Sequence, residues 1–138
     1  MFGNRFVFLG VCALVLLISP STRADDEDVI KPFLGEWMTK AEDIEEGWLI
    51  SKNKDGTLRV IGQYRDAKNF RILGGFEGRN VEVKDGKIHF VQVWVRKPKP
   101  NWSDNAKMTL EIEKGKLKFT WKLDNGSSGS RYLEAIRR

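Results

Sequence analysis

A two-residue rhythm, broken by very short turns, constrains this chain more than anything else in it. Over Lys116–Leu123, the residues Leu117, Phe119, Trp121 and Leu123 alternate with Lys116, Lys118, Thr120 and Lys122. Period two puts one set of side chains on a buried face and the other in water, as in a half-buried strand. Met108, Leu110 and Ile112 repeat the pattern over Lys107–Glu113. Glu113-Lys114-Gly115-Lys116 joins the two segments, with glycine where a tight hairpin turn needs positive φ.

The pattern recurs upstream. Trp48–Ser51 and Thr57–Tyr64 flank Asn53-Lys54-Asp55-Gly56, and Arg79–Lys84 and Lys87–Arg96 flank Asp85-Gly86. Asn69–Leu73 runs into Gly74-Gly75, a predicted bend or bulge. Trp37–Lys40 is the predicted first strand and Ser130–Ile136 the last. Strands joined by such short turns must lie antiparallel to their neighbours. A meander of this length has two raw edges unless it closes on itself. The predicted fold is therefore all-β: an antiparallel up-and-down barrel or near-barrel of about eight strands. A short helical turn over Asp28–Leu34 precedes it, and Pro32 suits a first helical turn. One strand departs from the rhythm. Ile88, Phe90 and Trp94 are apolar on one face of Ile88–Val95, and Val91, Val93 and Val95 on the other, which predicts cover on both sides.

The first 24 residues read as a segment apart. Met1–Arg5 carries one positive charge, Phe6–Ser19 is an uncharged run, and Pro20-Ser21-Thr22-Arg23-Ala24 ends it with small residues. This is the layout of a secretory signal peptide cleaved after Ala24, and the run is short for a spanning helix, which needs ~20 apolar residues. Residues 25–138 are then one domain, of a size that buries its own core. Cys12, the one cysteine, falls in the leader, so the remainder has no disulfide and no thiolate chemistry. Small exported animal domains lean on disulfides; their absence fits a secreted or periplasmic bacterial protein. Charge is uneven: Asp25–Glu46 holds nine acids and two bases, whereas bases outnumber acids beyond it. Most of those lysines alternate with apolar residues, as a solvated strand face does, so nucleic acid is not the expected partner.

With the meander in place, Phe33-Leu34-Gly35-Glu36-Trp37 resembles the opening of lipocalin-like barrels, the calycin group. In that group a Gly-x-Trp lies on the first strand, the indole closes one end of the barrel, and a basic side chain from the last strand packs over it. The resemblance assigns these structural roles to Gly35, Trp37 and either Arg131 or Arg137. Such a guanidinium–indole contact is worth ~0.5–2 kcal/mol when shielded.

Little in the sequence supports catalysis. His89 is the lone histidine, set among valines, with no second histidine or cysteine to share a metal or a proton relay. No nucleophile elbow or phosphate-cradling glycine loop is present. Glu42, Asp43, Glu45 and Glu46 read as a solvated connection after the first strand, and Glu134 as an inward-facing acid in need of an arginine. Lys97-Pro98-Lys99-Pro100-Asn101-Trp102 is a stiff rim loop whose Trp102 either stays exposed or folds back over the barrel mouth.

The expectation is an exported, non-enzymatic binder of an apolar or amphipathic small molecule, with no cofactor, no metal and no membrane span in the mature chain. The alternation places the lining at Trp48, Ile50, Leu58, Val60, Tyr64, Phe70, Ile72, Phe90, Gln92, Trp94, Leu110, Phe119, Trp121 and Tyr132. Tyr64, Phe90, Gln92, Trp94, Trp121 and Tyr132 are the predicted ligand contacts, on a face with no lysine or arginine. The alternative is a barrel filled by its own side chains that works through its outer surface on a cell-wall glycan or a protein. Intact mass of the exported product is expected to correspond to a chain starting at Asp25; a product retaining Phe6–Ser19 would show an anchor instead.

Overall fold

The computed structural model describes residues 24–136. Residues 1–23, where the predicted signal peptide falls, and residues 137–138, which include Arg137, lie outside them. A helix α1 (Ala24–Ile30) leads into a 3-10 turn (Lys31–Phe33). Eight strands follow: β1 (Gly35–Ala41), β2 (Ile44–Lys52), β3 (Leu58–Asp66), β4 (Ile72–Lys84), β5 (Lys87–Arg96), β6 (Asn105–Glu113), β7 (Lys116–Lys122) and β8 (Ser128–Ala135). Each pairs with the next, and β8 returns to β1, so the sheet is a closed antiparallel up-and-down barrel. This architecture is compatible with a lipocalin-like fold. No helix among the described residues is long and apolar enough to cross a membrane.

The alternation maps onto the barrel wall strand by strand. Trp48 and Ile50, Val60 and Tyr64, Ile88 and Phe90, Met108 and Leu110, Leu117 and Phe119 are all buried. Their outward neighbours are mostly polar or charged, as a one-sided sheet requires. Of the two segments read separately from the sequence, Arg79–Lys84 and only Ile72 and Leu73 of Asn69–Leu73 belong to the one long strand β4; Asn69, Phe70 and Arg71 lie in the turn before it. Gly74 and Gly75 sit inside it, beside register shifts at Tyr64/Arg65 and Gly75/Phe76, so the predicted irregularity is a bulge within a strand. The first helical turn begins earlier than Asp28 and ends at Phe33.

Ile88–Val95 is a correction. Its inner face is buried as expected, but no second layer covers the outer one. Val95 is 73% exposed. A strand of a closed barrel has only one protein-facing side, so the valines face out.

One end of the barrel is closed. Call it the lower end: it holds the start of β1 and the turns β2–β3, β4–β5 and β6–β7. Phe33 enters the core cluster from the 3-10 turn, and Leu58, Val83 and Ile112 pack against that cluster. Trp37 is buried there, and its indole N–H donates to the Phe33 carbonyl at 2.9 Å, which fixes the turn against the barrel. Arg131 is not the residue over this indole; its guanidinium lies over Phe119 and Trp121 at 5.7 and 5.6 Å.

Two glycines make the interior arrangement possible. A Cβ on Gly62 would overlap the Phe76 ring, and one on Gly129 would overlap the Trp121 indole. Bulky rings thus lie flat on backbone where neighbouring strands show no side chain. The seam between β1 and β8 is the shortest in the barrel, with the pairs Trp37↔Ala135 and Met38↔Glu134 and a further bond from Ile136 N–H to the Glu36 carbonyl at 2.9 Å.

Trp37→Ala is expected to cost ~3–5 kcal/mol, as a large-to-small core change does. Chemical denaturation of the purified variant measures it.

Candidate functional site

The upper end carries the turns β1–β2, β3–β4, β5–β6 and β7–β8, and here the interior is not filled. Glu46 on β2 follows the parity of Trp48 and Ile50, so it points inward, and it is 2% exposed. The tight β1–β2 turn leaves no loop there: Glu45 and Glu46 are strand residues, which corrects their reading as a solvated connection.

A buried carboxylate is costly without partners, and Glu46 has three. Its Oε2 accepts from the Trp48 indole N–H at 2.8 Å and the Tyr64 hydroxyl at 2.7 Å. Its Oε1 faces Arg131 Nη1 at 3.3 Å. The acceptor set is therefore met from β2, β3 and β8 together. Burial, and then the adjacent Glu46 charge, push the Tyr64 phenol far above its ordinary value, with Arg131 and the Gln92 amide opposing. Tyr64 is a neutral donor at any physiological pH.

Above this group lies an open cavity of about 270 Å³. Tyr64, Gln92, Trp94, Trp102, Trp121 and Arg131 are among its walls, with Ala106, Met108 and Phe119 deeper. Trp102 does fold back: its ring is 5.4 Å from Tyr64 and 5.7 Å from Trp94. The Trp94 N–H donates to the Ser103 carbonyl at 2.7 Å and so pins the rim loop to β5. An ion pair between Lys97 and Asp104 ties the two feet of the same loop.

Of the six predicted contacts, the structure brings Tyr64, Gln92, Trp94 and Trp121 to this cavity. Phe90 lies deeper, in the packed core, 6.1 Å from Trp48 and 6.3 Å from Phe76. Tyr132 is a correction. It is 41% exposed, and its hydroxyl donates to Glu113 Oε1 at 3.1 Å on the outside of the barrel. On β8 the inward parity belongs to Arg131 and Leu133, with Leu133 fully buried. Glu134 accordingly faces out; the acid that needed an arginine is Glu46. Phe70 and Ile72 also face solvent, at 59% and 51% exposure, because they precede the bulge that restores β4 to the expected parity. The expectation of a lining without basic residues fails at Arg131.

Glu46 is a site residue the sequence reading missed, and Arg131, expected over the Trp37 indole, instead reaches Glu46. The signal for Glu46 was available in its spacing from Trp48 and Ile50. His89 lies on the outer wall, with Nδ1 3.3 Å from the Thr109 hydroxyl. Comparison of the chain with protein-family models, curated proteins and solved structures yields no match.

Two outcomes follow from the buried acid. Tyr64→Phe removes a hydrogen bond to a charged group and is expected to cost ~1.5–3 kcal/mol. The raised phenol also links to pH. Stability from the protonated phenol is complete below the ordinary tyrosine pKa, ~10, and is lost as pH rises above it, since the unfolded chain then ionises first. Denaturation midpoints measured above that pH are expected to fall more steeply for the native protein than for Tyr64→Phe.

Proposed function

We propose that this protein is an exported, non-enzymatic binder, built on a lipocalin-like barrel, of a compact amphipathic small molecule held at the upper mouth. The observation that carries this reading is the cavity above Glu46: aromatic on its walls, with a few polar groups from Tyr64, Gln92 and Arg131, and open to solvent. Such concave, mostly apolar sites with a few placed polar groups are typical of ligand pockets.

The geometry narrows the guest. Both oxygens of Glu46 are engaged, so the acid serves to hold Tyr64, Trp48 and Arg131 in place. The guanidinium offers five N–H donors, of which one goes to Glu46. The remaining donors and the Gln92 amide suit a guest whose polar end carries hydrogen-bond acceptors. Trp94, Trp102 and Trp121 offer flat faces, which suits an aromatic or planar body. A volume near 270 Å³ excludes a long acyl chain lying fully inside, because the lower barrel is occupied by Trp48, Phe76, Phe90 and Phe119.

Titration with small planar carboxylates and amides is expected to change tryptophan emission saturably. Ala106→Phe, which fills the cavity from its β6 wall, is expected to abolish that change with far-ultraviolet circular dichroism intact. Absence of a response across such guests would favour the filled barrel that works through its outer surface.

A further inference from the structure

The outer wall near the β3–β4 turn breaks the pattern of the rest of the barrel surface. Phe70 at the tip is 59% exposed, Ile72 51% and Val95 73%. Ile72 and Val95 border one shallow groove of about 330 Å³ with Ile61, Arg59, Gln63 and Arg96. Gly75 lines the groove, and a Cβ there would meet the Gly62 carbonyl oxygen at 2.8 Å. Phe70 precedes Ile72 by two residues, in the turn that leads into this wall.

The tip is held rigidly. Asp66 Oδ1 accepts from the backbone N–H of Lys68 at 2.8 Å and of Asn69 at 3.1 Å. The Phe70 N–H donates to the Asp66 carbonyl at 2.8 Å, and the Asp66 N–H to the Arg71 carbonyl at 2.8 Å. Phe70 itself is in the left-handed region, at φ 61°, which a bulky side chain rarely adopts. The fold therefore presents an aromatic ring outward against its local preference. The Arg65 guanidinium lies over one side of that ring at 5.0 Å, leaving the other side to solvent.

Charge decides what such a face meets. Glu45 pairs with Arg65 at 2.7 Å, Glu77 with Arg79 at 3.1 Å, and Asp66 is held in the turn. Glu42 and Asp43 are exposed in the adjoining β1–β2 turn, where the Asp43 carbonyl accepts from the Ala67 N–H at 2.8 Å, and they are outnumbered by the cations around the apolar residues. Arg59, Lys68, Arg71 and Arg96 add exposed positive charge around the apolar residues. A second copy would bring like charge against like, so self-association is disfavoured. An apolar tip ringed by cations matches an anionic bilayer surface, whose interface takes aromatic side chains and whose headgroups attract Lys and Arg. We propose that the β3–β4 tip and the Ile72–Val95 groove form a docking surface for anionic lipid membranes. This stands independently of the small-molecule reading.

The test is co-sedimentation of the purified protein with vesicles of phosphatidylglycerol and phosphatidylcholine, against phosphatidylcholine alone. Any contribution of Phe6–Ser19 is common to all variants and cancels in their comparison. Binding is expected to require the anionic lipid and to weaken as salt is raised. Arg71→Gln is expected to weaken it about fivefold, the effect of one juxtamembrane cation. Phe70→Ser, at an exposed position, is expected to weaken it about tenfold or more through lost apolar burial. Lys107→Glu, on β6, is expected to change nothing. Equal binding of wild type and Phe70→Ser would overturn the proposal. So would no binding to anionic vesicles, Phe70-dependent self-association without lipid, or equally tight binding to polyglutamate that ignores Phe70.

Discussion

The carboxylate of Glu46 is the constraint around which the upper barrel is arranged. It sits where an apolar residue would ordinarily be, and three donors from three strands converge on it. Removing one partner of such a group leaves the rest buried and unmatched, which costs far more than the group adds. The arrangement therefore specifies a register: β2, β3 and β8 satisfy Glu46 only when Trp48, Tyr64 and Arg131 reach it together. It also keeps the upper interior from collapsing into a uniform hydrophobic core, since Arg131 cannot retreat into apolar packing. The lower half has no such polar centre and is filled to its walls.

Aromatic side chains divide the interior between these two regimes. Trp48, Phe76, Phe90 and Phe119 form a connected set with ring centroids between 4.7 and 6.3 Å apart. Above them Tyr64, Trp94, Trp102 and Trp121 continue the network but face an opening. The glycines at 62 and 129 let two of these rings lie against backbone. The same stacking that stabilises the core thus becomes, one layer higher, a set of flat walls around empty space.

The wall of the barrel was legible because period two is a local property. Lys116–Leu123 could be assigned to faces without knowing anything distant, and the short turns then fixed the order of strands. What the sequence hid was parity across irregularities. Phe70 and Ile72 looked inward by counting through Gly74-Gly75, yet the bulge resets the count. Tyr132 and Arg131 differ by one position, and a reading that placed the tyrosine inside necessarily placed the arginine outside. The prior that charges face water reinforced that choice, and it also hid Glu46 among its acidic neighbours. Buried ionic groups are legible only from the partners that satisfy them, and these come from strands far apart in the chain.

The short seam between β1 and β8 gives the barrel a direction in which to yield. Every other pair of neighbouring strands is joined by a turn or, between β5 and β6, by the short rim loop, and forms from residues close in sequence. Closure joins the two ends of the meander and carries the largest loop-entropy cost. With few ladder bonds to offset that cost, the amides that face each other across this seam are the ones expected to exchange without global unfolding, while β1 stays paired with β2 and β8 with β7. A strand pair released there exposes two unpaired edges at once, and a neighbouring molecule can supply the missing partner. The Glu46–Arg131 contact, buried on the Glu46 side only, runs from β8 to β2 across β1 and so ties the two sides of the seam together.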